Sequence, residues 1–172
     1  MKDVVILTGA GQIGMAIARR ISMGKKLVIG DKSRANGEAI TKIMNEAGFD
    51  AVFVECDLSS RESILNLIEE AQKYGEIAHL INAAGVSPSQ APIETILKVD
   101  LYGTAVLLEE VGKVIKEGGT GVTVSSQSGH RMPALGAEID EQLATTPTEE
   151  LLDLEVVQPQ NIRDTLPRLS AC

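Results

Sequence analysis

Gly9, Gly11 and Gly14 fall at the spacing G-x-G-x-x-G in the stretch TGAGQIG, with Gln12 and Ile13 between the last two. Between a strand and a helix, glycines so placed allow a tight turn and a close approach of backbone to a pyrophosphate, whose charge then sits on free N–H groups at the helix N-terminus. The alternative is a glycine-rich turn that only packs. Asp31 ends the next apolar run, about twenty residues on, where a carboxylate accepts hydrogen bonds from an adenosine ribose and repels a 2′-phosphate. Together these residues point to dinucleotide binding, with NAD favoured over NADP. Lys32 and Arg34 stand close to Asp31 and either soften that discrimination or are solvated charges at a helix start.

Such residues need a scaffold that brings strand ends together, and the rest of the chain supplies the pattern for one. The runs DVVILT (3–8), KLVIG (26–30), AVFVEC (51–56), AHLINA (78–83) and GVTVSS (121–126) are short and rich in β-branched residues. Near-continuous apolar runs of this kind suit strands buried on both faces of a parallel sheet. Between them GMAIARRI, RANGEAITKIMNEAG, RESILNLIEEAQKYG and ILKVDLYGTAVLLEEVGKVIKEGG carry apolar residues at helical spacing. This alternation predicts an α/β, Rossmann-type doubly wound parallel sheet forming a single domain over residues 1–172. After Gly129 the pattern changes, and residues 130–166 read as an insertion with short helices. Thr146, Pro147 and Glu149 predict a helix start there, with Thr146 as cap and Glu149 reaching back to it.

Composition narrows the class. With 172 residues and 44% hydrophobic content the chain can bury one core. A net charge of −8, with no basic stretch to offset it, argues against a nucleic-acid partner. Two cysteines, Cys56 and Cys172, suggest neither a disulfide framework nor a metal cluster, which fits a reducing cytoplasm. No apolar run reaches the length of a signal peptide or a membrane span, so the expectation is a cytoplasmic protein without membrane attachment, acting on small molecules.

Three further stretches carry a family resemblance. CDLSS places Asp57 and Leu58 after the third strand, NAAG (82–85) ends the fourth, and VTVSSQSG (122–129) ends the fifth. Over residues 3–129 the chain resembles the short-chain dehydrogenase/reductase family, and within it a bacterial subgroup with an insertion between the catalytic serine and tyrosine. The resemblance implies that Asp57, with Leu58 beside it, binds the adenine amino group. It implies that Asn82, Ala83 and Gly85 line the nicotinamide side and that Ser126 is the catalytic serine. Read alone, Asp57 is equally a helix cap, and a simple tight turn is the lesser alternative for NAAG.

Two departures accompany the likeness. The family's usual glycine motif has three residues between its first two glycines, whereas only Ala10 separates Gly9 from Gly11. Asp100, in VDLYGT, stands where the family commonly has an asparagine that supports a proton relay; it is a candidate for that role, or a helix residue bonded to backbone. The family mechanism also needs a Tyr-x-x-x-Lys pair, the tyrosine donating a proton while the serine polarises the substrate oxygen. The chain has two tyrosines, and Ala78 follows Tyr74, and Val106 follows Tyr102, at the lysine spacing. His130 and Arg131 either border a substrate pocket or are solvated loop residues; His79, at the start of a strand, reads as structural.

The resemblance therefore implies an NAD-dependent oxidoreductase moving hydride between nicotinamide and an alcohol or carbonyl substrate, inactive in this form. A non-catalytic NAD-binding or regulatory module is the alternative; a nucleotide-sugar epimerase would need the same tyrosine. The expected sheet is incomplete at the C-terminus, leaving apolar surface that makes the chain a homo-oligomer or marginally stable. The tail fits a frameshift. Codons for Leu-His-Ala-Tyr-Gln-Leu-Ala-Lys, with one inserted nucleotide, can read as Leu166–Cys172 followed by a stop, which puts the tyrosine slot at Leu169. An unrelated tail after a truncation is the other reading.

Overall fold

The computed structural model describes residues 2–127, 129 and 134–165. Its centre is a parallel sheet of β1 (Val4–Thr8), β2 (Lys26–Asp31), β3 (Asp50–Glu55), β4 (Ile77–Asn82) and β5 (Ile115–Thr123), in the order β3-β2-β1-β4-β5. Side chains alternate across a strand, and in β1 both sets are apolar. Val4 and Ile6 join a core with Ile64, Leu67, Leu107 and Val111, whereas Val5 and Leu7 join one with Ala18, Leu27, Ile29 and Met44. The first core lies under α3 (Arg61–Gln72) and α5 (Thr104–Gly112), the second under α1 (Gln12–Ile21) and α2 (Arg34–Glu46). Helices on both faces of a parallel sheet are the doubly wound architecture expected from the alternation.

The strand order reverses at β1. The chain winds outward through β2 and β3, then returns to lay β4 on the other side of β1. Two consecutive crossovers thus diverge at the carboxyl ends of β1 and β4 and leave a crevice between them, the place where ligands enter open α/β sheets.

Beyond β4 the helical run is built differently from its sequence pattern. α4 (Ile93–Ile96) passes into a π-helical stretch, Leu97–Gly103, before α5. Gly103 explains the tight fit of this run: a Cβ there would stand 2.3 Å from the Leu58 carbonyl oxygen. The helix expected to continue through 119 ends instead at Gly112, and β5 begins at Ile115 rather than at 121. Val114 and Ile115 pack against the α3 side of the core, and Ile115 pairs with Ile77, so packing draws Ile115 into extended backbone directly after the turn at Val114. β5 forms the sheet edge, with Val122 and Val124 exposed.

After β5 the described residues form α6 (Ala137–Thr145), 3-10 turns at Thr148–Asp153 and Glu155–Val157, and α7 (Pro159–Thr165). The expected cap at Thr146 is not formed. Pro147 takes the cap position without a side-chain bond, and Glu149, instead of reaching back, is held by Arg61 Nε at 2.6 Å and by the Tyr102 hydroxyl at 3.0 Å. Arg61 also pairs with Glu109 at 3.0 Å and with Glu110, so one guanidinium at the start of α3 ties the 3-10 turn at Thr148–Asp153 to α5, and the Tyr102 bond to Glu149 adds the π-helical stretch. The Lys113 ammonium, then Arg61, hold the Glu109 carboxyl down at about 2. A carboxyl depressed in the folded state stabilises above its unfolded value and loses that contribution as pH falls toward the folded one. The difference in melting temperature between wild type and Arg61→Met is therefore expected to be full above about pH 4.5 and to shrink toward pH 2. Melts at pH 6 and pH 3 check this; a difference that grows on acidification would refute it.

Candidate functional site

A cleft of about 210 Å³ opens at the carboxyl ends of the first four strands, lined among others by Gly9, Asp31, Asp57, Leu58, Gly85 and Val99. Residues from four separate turns meet there because parallel strands deliver all their carboxyl ends to one edge. Five of the expected cofactor-binding residues, Gly9, Asp31, Asp57, Leu58 and Gly85, are thus brought together.

The glycine loop is shaped by different requirements at its three glycines. Gly9 has φ of +80°, and a Cβ there would lie 2.5 Å from the Ala84 backbone, so the β1 and β4 turns touch through the missing side chain. At Gly14 a Cβ would meet the Gly9 carbonyl oxygen at 2.6 Å, which fixes α1 against the loop. Gly11 is different. It caps α1 in extended backbone, and a Cβ there would meet no protein atom within 4 Å. Nothing in the protein requires a glycine at that position, whereas a phosphate group approaching the helix N-terminus does. No acidic residue stands in the first turn of α1 to compete for its N–H groups. Gln12 and Ile13 open the helix, with Ile13 60% exposed. These features fit a dinucleotide pyrophosphate.

Asp31 ends β2 beside the loop. Its Oδ2 accepts the Ala10 N–H at 2.9 Å and an Asn36 amide hydrogen at 3.0 Å, and its Oδ1 accepts the Ser33 N–H at 2.8 Å. The carboxylate is thereby oriented by the glycine loop on one side and by the start of α2 on the other. Asn36 went unremarked in the sequence; its only signal there is its place one helical turn past the Ser33 cap. Asp57 is not the cap of α3, which is Ser60; it closes the turn before it, accepting the Ser59 amide and hydroxyl at 2.9 and 2.7 Å. Burial pushes the Asp57 carboxyl up, but the Lys32 ammonium at 2.7 Å and the Ser59 groups outweigh it and hold it below the usual carboxylate range. Between Asp31 and Asp57, burial raises the Cys56 thiol to about 11, so it stays protonated and packs as a small apolar group.

Asn82 is buried, and its side chain faces inward. Its Oδ1 accepts from the Thr8 hydroxyl at 2.8 Å and its amide donates to Thr104 at 3.2 Å, while its carbonyl accepts the Val124 N–H at 2.8 Å. It joins β1, β4, β5 and α5 at the floor of the crevice, and the Ala83 N–H adds a bond to the Thr8 carbonyl at 2.9 Å. Gly85 faces Asp100, whose Oδ1 accepts the Val86 N–H at 3.0 Å. Burial raises the Asp100 carboxyl and the Val86 amide partly offsets it. Here the aspartate holds the turn after β4 in place. Ser126 lies exposed just past β5, and its carbonyl accepts the Gly129 N–H at 3.2 Å. His79 bonds Thr120 on the neighbouring strand through Nδ1 at 2.8 Å, a structural contact. His130, Arg131 and the tail at Leu166–Cys172 lie outside the described residues. Among the described residues no helix is long and apolar enough to cross a membrane.

A family model described as short chain dehydrogenase matches residues 3–138. The chain belongs to the short-chain dehydrogenase family. It is 35% identical to the short-chain dehydrogenase/reductase bsc3 of Alternaria brassicicola over 91% of its own length and 58% of that protein. It is 29% identical to carbonyl reductase (NADPH) 1 of Bos taurus, over 72% of its length and 48% of that enzyme. The chain thus spans about half the length of the curated relatives it matches. A short-chain dehydrogenase from Burkholderia phymatum, solved in complex with NAD, superposes with a TM-score of 0.60 at 22% identity, covering 66% of this chain and 44% of that one. That likeness shows the fold. The residues that form the described cleft come from the glycine loop and from the ends of β2, β3 and β4.

Proposed function

We propose that this chain binds NAD in the crevice at the carboxyl ends of β1 to β4, as the cofactor-holding part of an oxidoreductase acting on a small alcohol or carbonyl compound. The observation that carries the proposal is Gly11, whose open space over the α1 N-terminus has no explanation in the protein's own packing. The glycine loop holds the pyrophosphate, Asp31 the adenosine ribose, and Asp57 with Leu58 the adenine. Gly85 and the backbone of Asn82 and Ala83 bound the nicotinamide side. A nicotinamide held there would supply hydride chemistry. Ser126 polarises the substrate oxygen, and Asp100 positions the turn after β4.

Within these 172 residues no tyrosine is followed four residues later by lysine. Neither tyrosine stands in for the missing donor: the Tyr102 hydroxyl is engaged by Glu149, and Lys26 sits 4.5 Å over the Tyr74 ring. This favours binding without turnover by these 172 residues, the behaviour of an NAD-binding module. Titration with NADH followed by fluorescence, then turnover assays on alcohols and ketones, tests both parts. Failure to bind NADH ends the proposal, and turnover ends the account of the missing donor. The reading extends to self-association through exposed Leu108, Val122 and Val124, and to a reducing, cytoplasmic setting that keeps Cys56 free.

NAD is expected to bind more tightly than NADP, because Asp31 meets a 2′-phosphate with a like charge. Asp31→Ser should narrow that preference by on the order of tenfold, since each tenfold is about 1.4 kcal/mol and a close charge pair in a partly buried site is worth about that much. Dissociation constants for NADH and NADPH before and after the substitution measure it. Equal affinities in the unmodified protein would contradict the assignment.

A further inference from the structure

Next to Asp31 stand two cations, Lys32 and Arg34, of the kind that hold a 2′-phosphate in place, yet neither is a free charge. The Lys32 ammonium is 2.7 Å from Asp57 Oδ2, and Arg34 Nη2 is 2.7 Å from Glu55 Oε2, with Nη1 directed at Glu38 at 3.4 Å. The Arg34 guanidinium also lies over the Phe53 ring, 5.9 Å from its centre. The sheet register explains the pairing: Asp31 at the end of β2 stands opposite Glu55 at the end of β3, so whatever follows Asp31 faces whatever ends β3. We infer that Glu55 and Asp57 are specificity-determining residues that keep the cofactor preference on NAD by sequestering Arg34 and Lys32.

The inference rests on the proposed dinucleotide site. A 2′-phosphate carries close to two negative charges at pH 7. Near the β2 end it meets the Asp31, Glu55 and Asp57 carboxylates against two cations, each already engaged. To recruit either cation it must break an ion pair, and that cost falls on NADP and not on NAD. Both pairs are largely exposed, with Lys32 at 72% and Arg34 at 65% side-chain exposure, so each contributes modestly. Discrimination is thus shared between Asp31, which repels, and β3, which withholds the compensating charge.

The test is the ratio of NADPH to NADH dissociation constants, measured by fluorescence titration on the full chain. Glu55→Gln and Asp57→Asn remove a charge while keeping shape, and asparagine at 57 keeps an acceptor for Ser59. Each substitution is expected to move the ratio toward NADPH by about twofold to fivefold, and the pair together by on the order of tenfold. Adding Arg34→Met to Glu55→Gln, or Lys32→Met to Asp57→Asn, should erase the gain. A ratio unmoved in the double variant, with NADH still bound, overturns this inference and leaves the cofactor site standing; a gain that survives removal of the cation overturns it as well. If the unmodified chain binds neither cofactor, the proposed function falls and this inference with it.

Discussion

Alanine at Gly9 is expected to abolish NADH binding and to lower the melting temperature, whereas alanine at Gly11 is expected to weaken NADH at least tenfold at an unchanged melting temperature. Gly9 has φ of +80°, where an L side chain costs about 1–2 kcal/mol. Its Cβ would also lie 2.5 Å from Ala84 N and Cα, backbone atoms that move only if the β4 turn moves, which adds about 1–3 kcal/mol. Together this corresponds to a fall of roughly 5–15 °C for a chain of this size. At Gly11, φ of −88° and ψ of 179° suit any residue and no protein atom lies within 4 Å, so the fold is indifferent, to within about 0.5 kcal/mol. A methyl group there occupies the space through which a pyrophosphate reaches the first N–H groups of α1. Thermal melts and NADH titration of the two variants separate a glycine needed by the fold from one needed by the ligand. Normal NADH affinity in Gly11→Ala would remove the chief support for the site.

Gly103→Ala is expected to lower the melting temperature by roughly 5–10 °C, from overpacking of about 2–3 kcal/mol. The added methyl would stand 2.3 Å from the Leu58 carbonyl oxygen and 3.1 Å from Leu58 Cβ. Neither neighbour is the end of a flexible side chain, so the π-helical stretch must lift away from the turn after β3. Leu58 lines the cleft and Asp57 precedes it, so NADH affinity should fall together with stability. Gly112→Ala is the matched control. It closes α5 with nothing within 4 Å of its Cβ, and alanine there should be neutral or slightly stabilising. A Gly103→Ala variant that melts like wild type would show that the run from Ile93 to Gly112 is not held against β3 in the way described.

The sequence by itself determined the architecture and most of the cleft. The β1 to β4 runs were legible to within a residue at either end, because strands buried on both faces must be apolar throughout, and the glycine spacing and Asp31 are read over short distances along the chain. The runs CDLSS and NAAG placed Asp57 just past β3 and Asn82 to Gly85 at and just past the end of β4, where the structure has them. Their contacts were another matter. That Asn82 faces Thr8 and Thr104, that Asp100 holds the Val86 amide, and that Arg61 gathers Glu109, Glu110 and Glu149 are pairings across 14 to 88 positions of sequence. The start of β5 and the lost cap at Thr146 failed for the same reason: local pattern favoured a longer helix and a capping box, and packing of Val114 and Ile115 and the pull of Arg61 on Glu149 overrode it. Lys32 and Arg34 read from the sequence either as charges that soften the cofactor discrimination or as solvated charges at a helix start. Only the lateral register of β2 against β3 brings Asp57 and Glu55 within reach of them, because hydrogen bonding between neighbouring strands decides which distant residues become neighbours, and no local periodicity encodes that choice.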